Sequence, residues 1–84
     1  MNYLVNKTEK QNLERFLSNL LTKADYDDLT TSIPEVLQIS PKTWYNYRYS
    51  LTRIPHSAKM AIVNILINKG YTVAIIDNEI IKSS

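Results

Sequence analysis

Apolar residues recur at helical spacing over most of the chain and change to an alternating, β-branched pattern near its end. Leu13, Phe16, Leu17, Leu20, Leu21 and Ala24 follow i, i+3, i+4, i+7, i+8, i+11, which predicts a first helix from Lys7 to Lys23. Asn6 followed by Glu9 gives it an N-cap and an acid in its first turn. Asp25-Tyr26-Asp27-Asp28 reads as a turn-rich break. A short second helix is expected from Ile33 to Gln38, with an extra turn possible at Leu29–Thr31. Ser32 and Glu35 then form a capping box around Pro34, and Ile33, Val36 and Leu37 face the core. Ser40-Pro41 restarts a helix that runs to Tyr49, because serine caps well and proline suits the first helical position. After a loop through Pro55, a fourth helix starts at His56 or Ser57 and stops at Gly70. Ala58, Ala61, Ile62, Ile65 and Leu66 mark its core face, and Met60, Val63 and Ile67 widen it. The segment from Tyr71 to Lys82 is β-branched around Asp77-Asn78, a pair that tolerates positive φ, so a two-stranded hairpin is expected there.

The overall expectation is a mainly α chain. It has four helices and a short C-terminal β-hairpin or strand, and residues 1–84 form one domain. Ile75, Ile76, Ile80 and Ile81 would place apolar groups on both faces of that hairpin. An apolar tail of this kind, residues 71–84, suggests a dimerisation element.

Composition narrows the function classes. The 84 residues include no cysteine, one histidine and one glycine. Disulfides, cysteine-based zinc sites and a glycine-rich phosphate loop are therefore excluded. The lone histidine, His56, is read as flanking the fourth helix rather than as catalytic, and adjacent Asp27 and Asp28 diverge rather than pair. The expectation is that the chain is not an enzyme and needs neither metal nor cofactor. No apolar run reaches membrane-spanning length, and residues 1–7 have no long apolar stretch of a secretory signal. A soluble, cytoplasmic protein is the default.

The net charge of +2 hides an uneven distribution. Residues 1–39 sum to −2 and residues 70–84 to −1, whereas residues 40–69 carry five cations and no acid. A basic middle between acidic flanks points to a polyanionic partner.

Two helices separated by about three residues have the spacing of a helix-turn-helix, here at about residues 33–49. Leu37-Gln38-Ile39-Ser40, two residues, Thr43-Trp44, two residues, Tyr47 resembles the helix-turn-helix of phage Cro and repressor proteins. Arg53-Ile54-Pro55 before an apolar helix resembles the loop of small Cro-like regulators. The similarity covers roughly residues 28–70. Gln38 stands where that family often has glycine, so Gln38 is expected to take a positive φ at some cost. Pro34 stands where the family has a helix-interior alanine.

Periodicity sends Trp44 and Tyr47 inward and Pro41, Lys42, Tyr45, Asn46 and Tyr49 outward, with Arg48 flanking. The resemblance implies that Pro41, Lys42, Tyr45 and Asn46 occupy base-reading positions. Asn46 can pair bidentately with adenine, and Lys42 can donate to guanine. Pro41 and the Tyr45 ring can touch a thymine methyl. Ser40, Arg48, Tyr49 and Arg53 suit phosphates, which set register without carrying sequence information. Each residue also has a plainer reading: Lys42 and Arg48 as solvated charges, Trp44 and Tyr47 as core, His56 as a helix cap.

The implied function is a sequence-specific regulator of phage or prophage type. It would act in the cytoplasm of a bacterial host as a homodimer on a double-stranded DNA operator, with no small-molecule effector. One alternative is a protein-binding module, an antitoxin or phage-encoded inhibitor using the same fold. Another is single-stranded nucleic-acid binding, with Tyr45 and Tyr49 as stacking platforms.

Overall fold

The computed structural model describes residues 12–83. Helix α1 spans Leu13–Leu20, α2 Lys23–Leu37, α3 Pro41–Arg48 and α4 His56–Asn68. Strands β1, Val73–Ile76, and β2, Glu79–Lys82, follow them. The predicted class holds: among the described residues, four helices precede a small antiparallel sheet. Residues 1–11, and with them the proposed Asn6 cap and Glu9, lie outside the described residues.

Helix α1 begins at an Asn12 cap whose side chain accepts from the Arg15 N–H at 2.7 Å. It also ends earlier than predicted. Leu21 is extended rather than helical, yet it stays buried with Leu13 and Leu17, so the apolar stripe survives the break. Ala24, placed in that stripe by spacing, is exposed at the start of the next helix.

The largest correction concerns α2. The chain from Lys23 to Leu37 is one 15-residue helix, with neither a break at Asp25–Asp28 nor a fresh start at Ile33. Its true start is Thr22, whose hydroxyl accepts from the Asp25 N–H at 3.1 Å. Asp25 lies in the first turn, where negative charge meets the positive end of the helix dipole, and Asp27 and Asp28 follow in the second. Thr30 donates to the Tyr26 carbonyl at 2.7 Å and Thr31 to the Asp27 carbonyl at 3.1 Å, so both hydroxyls serve the helix. Ser32 and Glu35 therefore lie within a helix and form no capping box. Pro34 sits in the fourth and last turn, where it withholds one helical hydrogen bond. The buried anchors Leu29 and Ile33 hold the helix through that gap. Val36, expected in the core, is 61% exposed.

Three helices end in the same way with three different residues. Gln38, Ser50 and Gly70 each take a positive φ of 57°, 59° and 106°. At each, the next residue's N–H reaches back five positions: Ile39 to Pro34, Leu51 to Asn46 and Tyr71 to Leu66. These are Schellman closures, which satisfy otherwise orphaned carbonyls. The positive φ expected at Gln38 is observed; Ser50, read only as loop, does the same for α3, which ends at Arg48 rather than Tyr49.

The core is one cluster. Leu17, Ile33, Ile62 and Leu66 are fully buried, with Leu13, Leu21, Leu29, Trp44, Tyr47, Val63 and Val73 around them. Helix α4 packs on α2 and β1, and α1 touches α2 and α3. The hairpin pairs Val73 with Lys82 and Ile76 with Glu79. Its turn residues Asp77 and Asn78 have φ of 54° and 66°, as predicted. Lys59 donates to the Asn78 carbonyl, and Tyr71 donates to Asp25. Lys69 pairs with Asp28 at 2.7 Å and with Asp25 at 3.9 Å. The tail is thus tied to α4 and to the start of α2. Ile75, Ile80 and Ile81 are half-buried, whereas Ile76, Met60 and Ile67 are exposed. Among the described residues, no helix is long and apolar enough to cross a membrane.

Candidate nucleic-acid interface

Three residues, Gln38 to Ser40, join α2 to α3, and the left-handed Gln38 turns the chain between them. Ser40 then caps α3 with its hydroxyl, which accepts from the Thr43 N–H at 3.1 Å and donates to the Thr43 hydroxyl at 3.0 Å. Pro41 occupies the first helical position. The first turn contains no acid, so no side-chain charge opposes the positive end of the helix.

One face of α3 is anchored by Trp44 and Tyr47, both buried as predicted. The other presents Pro41, Lys42 and Tyr45, all exposed, with Asn46 half-buried beside them and Tyr49 exposed one turn on. Lys42, Tyr45, Asn46 and Tyr49 follow i, i+3, i+4, i+7 and therefore share a face. The Tyr45 and Tyr49 rings lie against each other, with centroids 4.6 Å apart and planes at 38°. Tyr45 is 49% exposed, so the pair is an uncovered aromatic surface. Arg53 is exposed on the loop that follows, and neither it nor Lys42 has an ion-pair partner among the described residues. Ser40, Pro41, Lys42, Tyr45, Asn46, Tyr49 and Arg53 thus lie along one helix and its two flanking turns.

Arg48 stands apart. Its guanidinium pairs with Glu14 of α1 at 3.0 Å, and the two side chains are only 18% and 17% exposed. Its centre lies 5.4 Å from the Trp44 ring, 5.9 Å from Tyr45 and 5.4 Å from Tyr49. Glu14 also accepts from the Tyr26 hydroxyl, and from Ser18 at 3.1 Å. Burial raises the Tyr26 hydroxyl above its ordinary value of 10.0, and its bond to Glu14 adds to the effect. In the sequence Glu14 is only a charge lying off the apolar stripe of α1. No local signal could reveal it, since its partner lies 34 residues away.

A separate open groove lies between α1, the 50–54 loop and β2 and shares only Arg53 with the residues along α3 and its flanking turns; Phe16, Leu20, Ile54 and Ile80 supply its apolar part, and Arg53, Lys59 and Lys82 its basic part. Among the described residues, no cluster of three or more His, Asp or Glu could hold a metal ion. Compared with protein-family models, with curated proteins and with solved structures, the chain matches none.

Proposed function

We propose that this chain is a sequence-specific double-stranded DNA-binding transcription regulator that lays α3 in the major groove. The observation that carries the reading is the outward face of α3. A capped, acid-free helix start, a free lysine, an asparagine and two tyrosines project from a helix whose other face is fixed by Trp44 and Tyr47. Helices that read bases place N-terminal side chains against base edges in this way. In this reading Pro41, Lys42, Tyr45 and Asn46 contact bases, while Ser40, Tyr49 and Arg53 contact phosphates. Repression of a phage or prophage promoter in the cytoplasm of a bacterial host follows from the resemblance noted above. Two copies, joined through residues 71–84 and the exposed Met60, Ile67 and Ile76, would read a two-fold site.

Selection of bound duplexes from a random pool tests the reading. The expected result is a two-fold sequence with half-sites about 34 Å apart. On it, Asn46→Ala costs about 1–3 kcal/mol, with little change on random duplex. Failure to enrich any sequence would overturn the proposal. Equal loss on both duplexes would remove Asn46 from the base readers. The uncovered Tyr45–Tyr49 pair favours one second reading, stacking on a single strand. Competition by single strands that exceeds competition by duplex would select it.

A further inference from the structure

Three cations lie on or next to α3, and they are not equivalent. Lys42 and Arg53 stand free in solvent, whereas Arg48 is folded back against α1. A carboxylate and a phosphate are the same kind of ligand to a guanidinium: planar or tetrahedral oxygens that accept charge-assisted N–H bonds. Glu14 is held for this role from three sides. One oxygen takes the Arg48 bond at 3.0 Å; the other accepts from Tyr26 of α2 and from Ser18 of α1. The guanidinium is in turn fixed against the rings of Trp44, Tyr45 and Tyr49, and its Nε is buried without a hydrogen-bond partner. Pulling Arg48 out to a DNA phosphate would strand Glu14, in a site only 17% exposed, without its cation.

We propose that Glu14 is an internal stand-in for phosphate. It withholds the Arg48 charge from duplex DNA and makes Arg48 a positioning residue that holds the Tyr45–Tyr49 platform on α3. The consequence is selective. Backbone cations strengthen binding to every sequence alike, whereas base contacts distinguish one sequence from another. Withholding one cation from the backbone set lowers sequence-independent binding and leaves the base-reading face in place. Arg48 then leaves the phosphate set in which its sequence position had put it. The proposal rests on the DNA-binding reading for its consequence, but the Glu14–Arg48 pairing can be tested without DNA.

The experiment has two arms on the full chain. In the first, arginine modification by phenylglyoxal is followed residue by residue by mass spectrometry, with Arg53 as the internal reference. Arg48, paired and shielded, should react more slowly than exposed Arg53, and Glu14→Gln should bring the two rates together. Equal rates in the unmodified sequence would overturn the pairing whether or not the protein binds DNA. In the second arm, affinity for a random-sequence duplex is measured against salt. Glu14→Gln should steepen the slope of log K against log salt by about 0.9, the value of one added phosphate contact. The double variant Glu14→Gln/Arg48→Gln should return to the original slope, since it removes a pair that neutralises itself. A merely structural Glu14 would weaken folding and leave the slope unchanged. An unchanged slope in Glu14→Gln, or a double variant shallower than the original by about 0.9, would overturn the proposal. Absence of any duplex binding in the original sequence would sink the DNA reading and its consequence; the modification rates would still decide the pairing.

Discussion

Helices α2 and α3 each contain one proline, and the chain treats the two in opposite ways. Pro41 stands at the first position of α3, where its missing N–H would have had no helical partner and its fixed φ suits the start. Pro34 stands in the fourth and last turn of α2, where the same missing N–H leaves the Thr30 carbonyl without its helical donor. Local chemistry is enough to make α3 begin where it does. For α2 local chemistry argues for a stop, and the helix continues because Leu29 and Ile33, on either side of the last regular turn, are buried in the core. Tertiary burial decides α2, whereas capping decides α3.

The strongest way to break this contrast is to remove the burial. Ile33→Ala should destabilise the fold by about 2–5 kcal/mol, since a fully buried isoleucine leaves a cavity. Val36→Ala, one turn along but exposed, should stay within about 0.5 kcal/mol. Denaturant unfolding of the two variants reads the difference, and equal losses would show that α2 is not held by its buried face. The prolines themselves come next. Pro34→Ala should stabilise the protein by about 1–3 kcal/mol, because a helix-interior proline is restored to a good helix former. Pro41→Ala should destabilise it by up to about 1 kcal/mol, as a preorganised first turn is lost. Effects of the same sign would erase the distinction between the two sites.

The smallest effect is a pH dependence where α1, α2 and α3 meet. Tyr26 is raised above its ordinary 10.0 by burial and by its bond to Glu14. Its contribution is complete well below its ordinary 10.0, where the folded and unfolded chains both keep the phenolic proton. As pH rises further, the unfolded chain releases that proton first and stability falls. Unfolding free energy should therefore decline as pH rises through 10.0, and more gently in Tyr26→Phe. An identical decline in that variant would assign the effect to other groups.

The same comparison explains what could be read in advance. The α3 start, the inward Trp44 and Tyr47, the Gly70 stop and the Asp77-Asn78 turn all depend on residues within a few positions of one another, whereas the positive φ at Gln38 was implied by the resemblance. Each was legible. The outward face of α3 was legible for the same reason, since helical phase alone sorts Lys42, Tyr45, Asn46 and Tyr49 from Trp44 and Tyr47. The continuity of α2 was not. Its three aspartates look like turn residues until Thr22 is seen to cap them, and its proline looks like a beginning until Leu29 and Ile33 are seen in the core. The engagement of Arg48 was hidden for a different reason: an ion pair between residues 34 positions apart leaves no trace in local pattern.

The ties from Tyr71 to Asp25 and from Lys69 to Asp28 bear on the order in which the molecule is completed. A chain made from its N-terminal end can cap α1, α2 and α3 as soon as each has emerged, because each capping residue lies three positions from the N–H it accepts. It then waits. Ile62, Leu66 and Val73, which close the far side of the core, arrive only with the last third of the chain. The tyrosine that reaches the first turn of α2 spans 46 residues to do so. Closing so distant a contact costs loop entropy that the local caps do not. The strand that carries Val73 therefore completes a core that the locally capped helices leave open.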